Sequence, residues 1–133
     1  MVRFVMAALV ALICAMPARA QNGDVVGVIA SQIEAFQQDD FETAFTYASP
    51  FIKGIFQTPE RFGQMVKRGY PMVWRPADVQ FLEQRDADGF RYQKVLFKDA
   101  AGGLTVLEYE MLKIGDSWQI NGVQRLQDPP VAA

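Results

Sequence analysis

The sequence predicts an α+β protein in which N-terminal helices pack on a bent antiparallel β-sheet. From Ala77 to Leu126 the chain reads as four strand-like runs separated by Gly- and Asp-rich turns, the signature of an antiparallel meander. From Val25 to Arg68 apolar residues recur at helical spacing behind Asp, Ser and Thr caps. Helices come first and strands follow without interleaving, which is an α+β layout rather than an alternating one.

Ahead of both patterns, Met1–Ala20 places Arg3 before an apolar run from Phe4 to Met16, then Pro17 and the small-x-small sequence Ala18-Arg19-Ala20. This is the layout of a secretory signal peptide, with cleavage expected after Ala20. The apolar run falls short of the about 20 residues that a spanning helix needs. Ile13 before Cys14 argues against a lipid-attachment site. Export without membrane insertion is therefore expected. Of the 133 residues, cleavage leaves 113, enough for one hydrophobic core. It removes Arg3, Arg19 and the single cysteine, leaving 11 basic against 15 acidic residues and a net charge of −4. No basic cluster is evident, so nucleic acid is excluded as a partner.

The helices follow in order. Asp24 is the expected cap of a first helix whose stripe is Val25, Ile29, Ile33 and Phe36. Asp39 with Glu42 has the form of a capping box for a short second helix carrying Phe41, Ala44, Phe45 and Ala48. Ser49-Pro50 restarts the chain into Phe51–Phe56, and Thr58-Pro59 starts a helix over Pro59–Arg68. The inward residues of that last helix are Phe62, Met65 and Val66, and Gly69 is its expected stop. Two prolines in Tyr70–Pro76 predict an edge strand or a strap across the core.

The strands are expected over Ala77–Asp86, Phe90–Lys98, Leu104–Ile114 and Trp118–Leu126. In the third, Thr105, Leu107, Tyr109 and Met111 share one face, with Glu108 and Glu110 on the other. Trp118 and Ile120 continue an apolar face, and Gly122 marks a bulge. The first two strands mix parities, with Val79 and Phe81 against Leu82, and Val95 and Phe97 against Tyr92 and Leu96. Helices on one face and a partner subunit on the other would account for this. Gln127–Ala133 reads as a flexible tail.

Chemistry is narrowed by what is missing. Without histidine, and without cysteine after cleavage, there is neither the usual metal donor set nor a base for a nucleophilic triad. Asp86-Ala87-Asp88-Gly89 lacks the spacing of a calcium loop and reads as a hairpin turn. Carboxylate and phenol chemistry remains, with Glu34, Asp39, Asp40, Tyr47, Tyr70, Tyr92 and Tyr109 as its members. Each also has a plain structural role, as a cap, a solvated helix position or a packed ring.

Ile33-Glu34-Ala35-Phe36 followed by Asp39–Phe45, with the closing Gly115–Val123, resembles the nuclear-transport-factor-2-like (NTF2-like) superfamily of α+β cones. Ala44–Pro50 and Thr58–Phe62 resemble, more narrowly, the DUF4864 family of small exported bacterial proteins of unknown function. The resemblance implies a cone open to a small apolar ligand, frequent sheet-to-sheet pairing into a homodimer, and a periplasmic rather than fully secreted location. It implies no activity. The expected function is a non-catalytic binding or scaffold domain for a small apolar ligand or a protein partner, with no cofactor and no metal. Tyr47, Tyr70, Trp74 and Tyr109 are the candidate ligand-binding residues, because aromatic rings with one polar end suit pockets. The alternative is a small isomerase- or dehydratase-like enzyme using Tyr and Asp, which needs a carboxylate paired with a tyrosine inside the cone.

Overall fold

The computed structural model describes residues 24–126. The signal peptide expected over Met1–Ala20, its cleavage site and the tail from Gln127 lie outside the described residues. Among the described residues, five helices precede a four-stranded sheet: α1 (Val25–Gln37), α2 (Phe41–Thr46), α3 (Pro50–Phe56), α4 (Pro59–Gly69), α5 (Pro71–Trp74), then β1 (Asp78–Ala87), β2 (Phe90–Lys98), β3 (Leu104–Ile114) and β4 (Ser117–Arg125). The strands pair antiparallel in the order β1-β2-β3-β4, and the helices pack against one face. The α+β class expected from the sequence is the class observed.

Asp24 caps α1 by accepting from Val26 N at 2.9 Å, and the stripe Val25, Ile29, Ile33 and Phe36 is buried. The end of α1 corrects the expected capping box. Asp39 adopts φ +58°, with its N–H on the Phe36 carbonyl and the Asp40 N–H on the Ala35 carbonyl. These paired bonds satisfy the last carbonyls of α1. Asp39 is thereby used up in stopping α1, and Asp40 caps α2 through Thr43 N at 3.1 Å. Ser49 and Thr58 cap α3 and α4 as expected, each followed by proline in the first turn. α4 includes Gly69, and Tyr70 is its C-cap.

Tyr70–Pro76 forms neither an edge strand nor an extended strap. Pro71 starts a single helical turn, where its missing N–H costs nothing, and Met72 and Val73 are buried beneath it. Phe62 ties the helices together: its ring centroid lies 5.2 Å from Phe45 and 5.8 Å from both Phe36 and Phe56.

Asp88 and Gly89 link β1 to β2 with φ +54° and +87°, the backbone that a tight two-residue hairpin needs. Two bulges bend the sheet. In β4, Glu110 pairs with Gly122 and Met111 with Ile120, so Asn121 is the extra residue, one position before the expected Gly122. In β1 the register shifts between Phe81 and Gln84, against Val95 and Gln93. That shift explains the mixed parity of β1 without any partner: Val79 and Phe81 face the helices, and the exposed Leu82 sits in the bulge. Buried Gln93 holds the bulge by donating to the carbonyls of Leu82 (2.9 Å) and Lys94 (2.8 Å), and it accepts from Gln84 at 2.8 Å. On β2 and β3 the helix-facing row is Gln93, Val95, Phe97, Leu107, Tyr109 and Met111, all buried. Trp118 is half-buried at the core edge, beneath Arg91 and Lys113, rather than within the core.

Between α2 and α3 the chain joins the sheet. Ser49 N donates to the Ile120 carbonyl at 2.8 Å and Ile120 N to the Tyr47 carbonyl at 2.9 Å, a parallel bridge on the outer edge of β4.

Candidate functional site

The helices and the bent sheet do not close on each other completely. They leave an apolar cavity of about 310 Å³ whose floor is Tyr109 of β3 with Ile120 and Val123 of β4. Phe36 and Gln32 of α1 form one wall, Phe62, Met65 and Val66 of α4 another, and Tyr70 and Val73 close the end. The outer wall is α3, which presents Phe51, Ile52, Ile55 and Phe56 and has no buried residue of its own. Such a volume suits a small molecule. Among the described residues no charged side chain lines it.

Two buried polar groups in this lining lack a full set of partners. The Tyr109 side chain is 1% exposed, and its hydroxyl makes no hydrogen bond among the described residues. Burial, with a smaller contribution from neighbouring Tyr70, pushes its pKa far above the ordinary phenol value. Gln32, 3% exposed, donates from Nε2 to the Ala44 carbonyl at 3.1 Å, while its Oε1 accepts no bond among the described residues. Buried polar atoms are ordinarily paired, so these two favour an occupant that pairs with them.

Of the four aromatic residues singled out from sequence, Tyr70 and Tyr109 line the cavity, and Tyr47 and Trp74 do not. Tyr47 packs half-buried beside the core, where its backbone carbonyl holds β4. Trp74 is half-buried at the edge of the core, its Nε1 donating to Asp39 Oδ1 at 2.9 Å and its ring centroid 4.4 Å from Arg75 and 5.1 Å from Lys67. That hydrogen bond, with help from Arg75, holds the Asp39 carboxyl below its usual range. Asp40 is a cap, and Glu34 is exposed on α1.

A tyrosine–carboxylate pair does occur, on the opposite face of the sheet. Tyr92 Oη donates to Glu110 Oε1 at 3.2 Å, Asn121 Nδ2 to Glu110 Oε2 at 2.7 Å, and Ser49 Oγ to Asn121 Oδ1 at 2.7 Å. Beside them Arg85 bonds both oxygens of buried Glu108 at 3.2 and 3.3 Å. These groups flank a polar depression of about 280 Å³. Burial and the Glu110 charge both raise the pKa of Tyr92, which keeps it a neutral phenol at ordinary pH. Among the described residues no group of three His, Cys, Asp or Glu side chains is placed to hold a metal, and no helix is long and apolar enough to cross a membrane.

The sequence reasoning missed Gln32, and it foresaw α3 but not its place in the cavity wall. The signal in α3 was present: Phe51, Ile52, Ile55 and Phe56 put apolar side chains on more than one face of a seven-residue helix, more than one buried face requires.

Fold and site together define an α+β domain in which helices and a bulged meander sheet enclose an apolar cavity. A family model for a domain of unknown function, DUF4864, matches residues 18–133, and the chain belongs to that family. No curated protein and no solved structure matches the chain.

Proposed function

We propose that the protein is a non-catalytic binding domain for a small apolar molecule carrying one uncharged polar group. The observation that carries this reading is the cavity lining, apolar and, among the described residues, without charge, with the Tyr109 hydroxyl and Gln32 Oε1 given no partner by them. A charged head group would lose its hydration there without gaining a counter-charge. A neutral hydroxyl or carbonyl would pair with Tyr109 or Gln32. The enzyme alternative needs a carboxylate beside a tyrosine within the cavity, and the Tyr92–Glu110 pair lies on the other sheet face.

The rest of the reading follows the sequence expectations. The two bulges and the helix-covered concave face support a cone of the NTF2-like type. Among the described residues no helix covers the outer face of the sheet, which leaves room for a second copy to pack sheet to sheet. That supports pairing of two copies. Export, to the periplasm or beyond, rests on the signal-like layout of Met1–Ala20.

Native mass spectrometry of the protein recovered from its export compartment tests the central claim and reports the copy number. A neutral apolar molecule released on denaturation is the expected result. A protein that carries nothing, and that also fails to bind the neutral probe N-phenyl-1-naphthylamine, would sink the carrier reading and leave a role in binding other proteins.

A further inference from the structure

Charge is unevenly spread along the helical half. Residues 24–49 hold five carboxylates and no Lys or Arg, whereas residues 50–76 hold five Lys or Arg and one Glu. The basic segment is α3–α5, and within it α3 exposes Phe51 to 63% and Ile55 to 54%. These two are four positions apart, one helical turn, and so lie on one face.

Helical geometry places the cations relative to that face. Successive residues of α4 rotate by about 100°, which sets Arg61 and Arg68 on the flank that carries Met65, a residue of the cavity wall. Lys67 falls on the other flank, 5.1 Å from the ring centroids of Phe41 and Trp74. Arg61 bonds Gln57 at the end of α3 at 2.9 Å, and Arg125 reaches the Gly69 carbonyl at 3.5 Å. Lys53, two positions from both Phe51 and Ile55, lies about 160–200° around α3 from them and so on its other side. Among the described residues none of Lys53, Arg61, Arg68 and Arg125 is in an ion pair. One side of the molecule therefore combines two exposed apolar side chains, three cations in no ion pair (Arg61, Arg68 and Arg125) and the wall of the cavity.

We propose that this face docks on an anionic phospholipid bilayer, with Phe51 and Ile55 entering the interfacial layer and Arg61, Arg68 and Arg125 resting on head-group phosphates. Stable peripheral attachment needs an apolar contribution and an electrostatic one, and this face supplies both. The small apolar patch with cations around it fits a deformable sheet of phosphates better than a shaped protein surface. Docking would bring the α3 wall of the cavity against the source or destination of an apolar molecule. The proposal stands on the surface alone and survives even if the cavity carries no ligand.

The test is co-sedimentation of the soluble, processed protein with vesicles of phosphatidylcholine, alone or with about one-third phosphatidylglycerol. Binding roughly tenfold or more tighter to the anionic vesicles is expected, and it should fall steeply by ~0.5 M salt as the charges are screened. Phe51→Ser with Ile55→Ser, and Arg61→Glu with Arg68→Glu, should each weaken binding at least about tenfold. Lys98→Glu, at the far end of β2, should not. Circular dichroism checks that each variant is folded. Should a double variant fail to fold, Arg125→Glu and the emission of Phe51→Trp replace it; the tryptophan should shift to the blue on anionic vesicles only. Absence of vesicle binding, equal binding to both compositions, or binding untouched by the variants would overturn the proposal. So would capture of an acidic protein on this face without any attachment to vesicles.

Discussion

Ser49 Oγ donates to Asn121 Oδ1 at 2.7 Å, joining the cap of α3 to the bulge of β4 across 72 residues of sequence. The same Oγ accepts from Ile52 N at 3.3 Å, so one hydroxyl fixes both the start of the cavity's outer wall and its place on the sheet. Ser49→Ala removes the cap and leaves the buried side of Asn121 without a donor. It should cost about 2 kcal/mol and lower the melting temperature by roughly 10 °C. A double-mutant cycle with Asn121→Ala should give a coupling of about 1 kcal/mol. Additive losses would mean that the bond carries nothing.

Two helical glycines should respond to alanine with opposite signs. A Cβ at Gly63 would lie 2.8 Å from two ring carbons of Phe41, whereas a Cβ at Gly54 would meet nothing within 4 Å. Gly63→Ala should therefore destabilise by about 1–3 kcal/mol as the ring is displaced. Gly54→Ala should stabilise by roughly 0.5–1 kcal/mol through helix propensity alone. Urea titrations of the two variants measure both.

The Asp39 clamp predicts a loss of stability in acid. Its folded pKa is lowered by the Trp74 hydrogen bond first, and by Arg75 as well. The unfolded chain therefore takes up the proton at higher pH than the folded one does, and stability falls as pH drops below the ordinary Asp value of 3.8. Asp39→Asn keeps a residue that tolerates φ +58° and removes only the charge. The stability difference between wild type and Asp39→Asn, measured by chemical denaturation, should be largest near neutral pH. It should vanish once Asp39 is protonated in both states.

Tyr109 predicts the opposite limb. Its folded pKa is raised by burial, so above the ordinary phenol value of 10.0 the unfolded chain loses the proton while the folded chain keeps it. Stability should then decline with rising pH, and Tyr109 should stay silent in an ultraviolet titration until the protein unfolds. Tyr109→Phe should abolish that component. It should leave the empty protein unchanged or more stable by up to about 1 kcal/mol, because the lost hydroxyl had no partner among the described residues. A neutral ligand that bonds this hydroxyl should bind about tenfold more weakly.

The sheet was readable from sequence because its signals are local. Each turn carries Gly and Asp where the backbone needs them, and β2 and β3 run over the residues their alternation marks. The caps at Ser49 and Thr58 were equally plain, since cap and proline are neighbours. Asp39 misled because two adjacent acids can each cap a helix, and the choice depends on how the previous helix ends. The turn at Pro71–Trp74 hid behind its prolines, which exclude a central strand but also suit the start of a helix. The cavity was the least legible part. Gln32, Ile55 and Tyr109 come from three distant segments, and no spacing in the chain announces that they share a wall. Tyr47 and Trp74 match Tyr70 and Tyr109 in residue character, so only the packing separates the pairs.

Among the described residues, β1 is the strand left with a free edge, since the far edge of β4 is met by the Ala48 bridge. A long, flat and apolar edge would recruit strands from other chains and seed aggregates. β1 is neither flat nor apolar there: Gln93 props open a bulge at Leu82, and Asp78, Glu83, Arg85 and Asp86 place charge along the strand. The amide of Gln93 thus does more than satisfy itself. By spoiling the last strand as a template, it stops the sheet at four and keeps molecules from zipping together edge to edge.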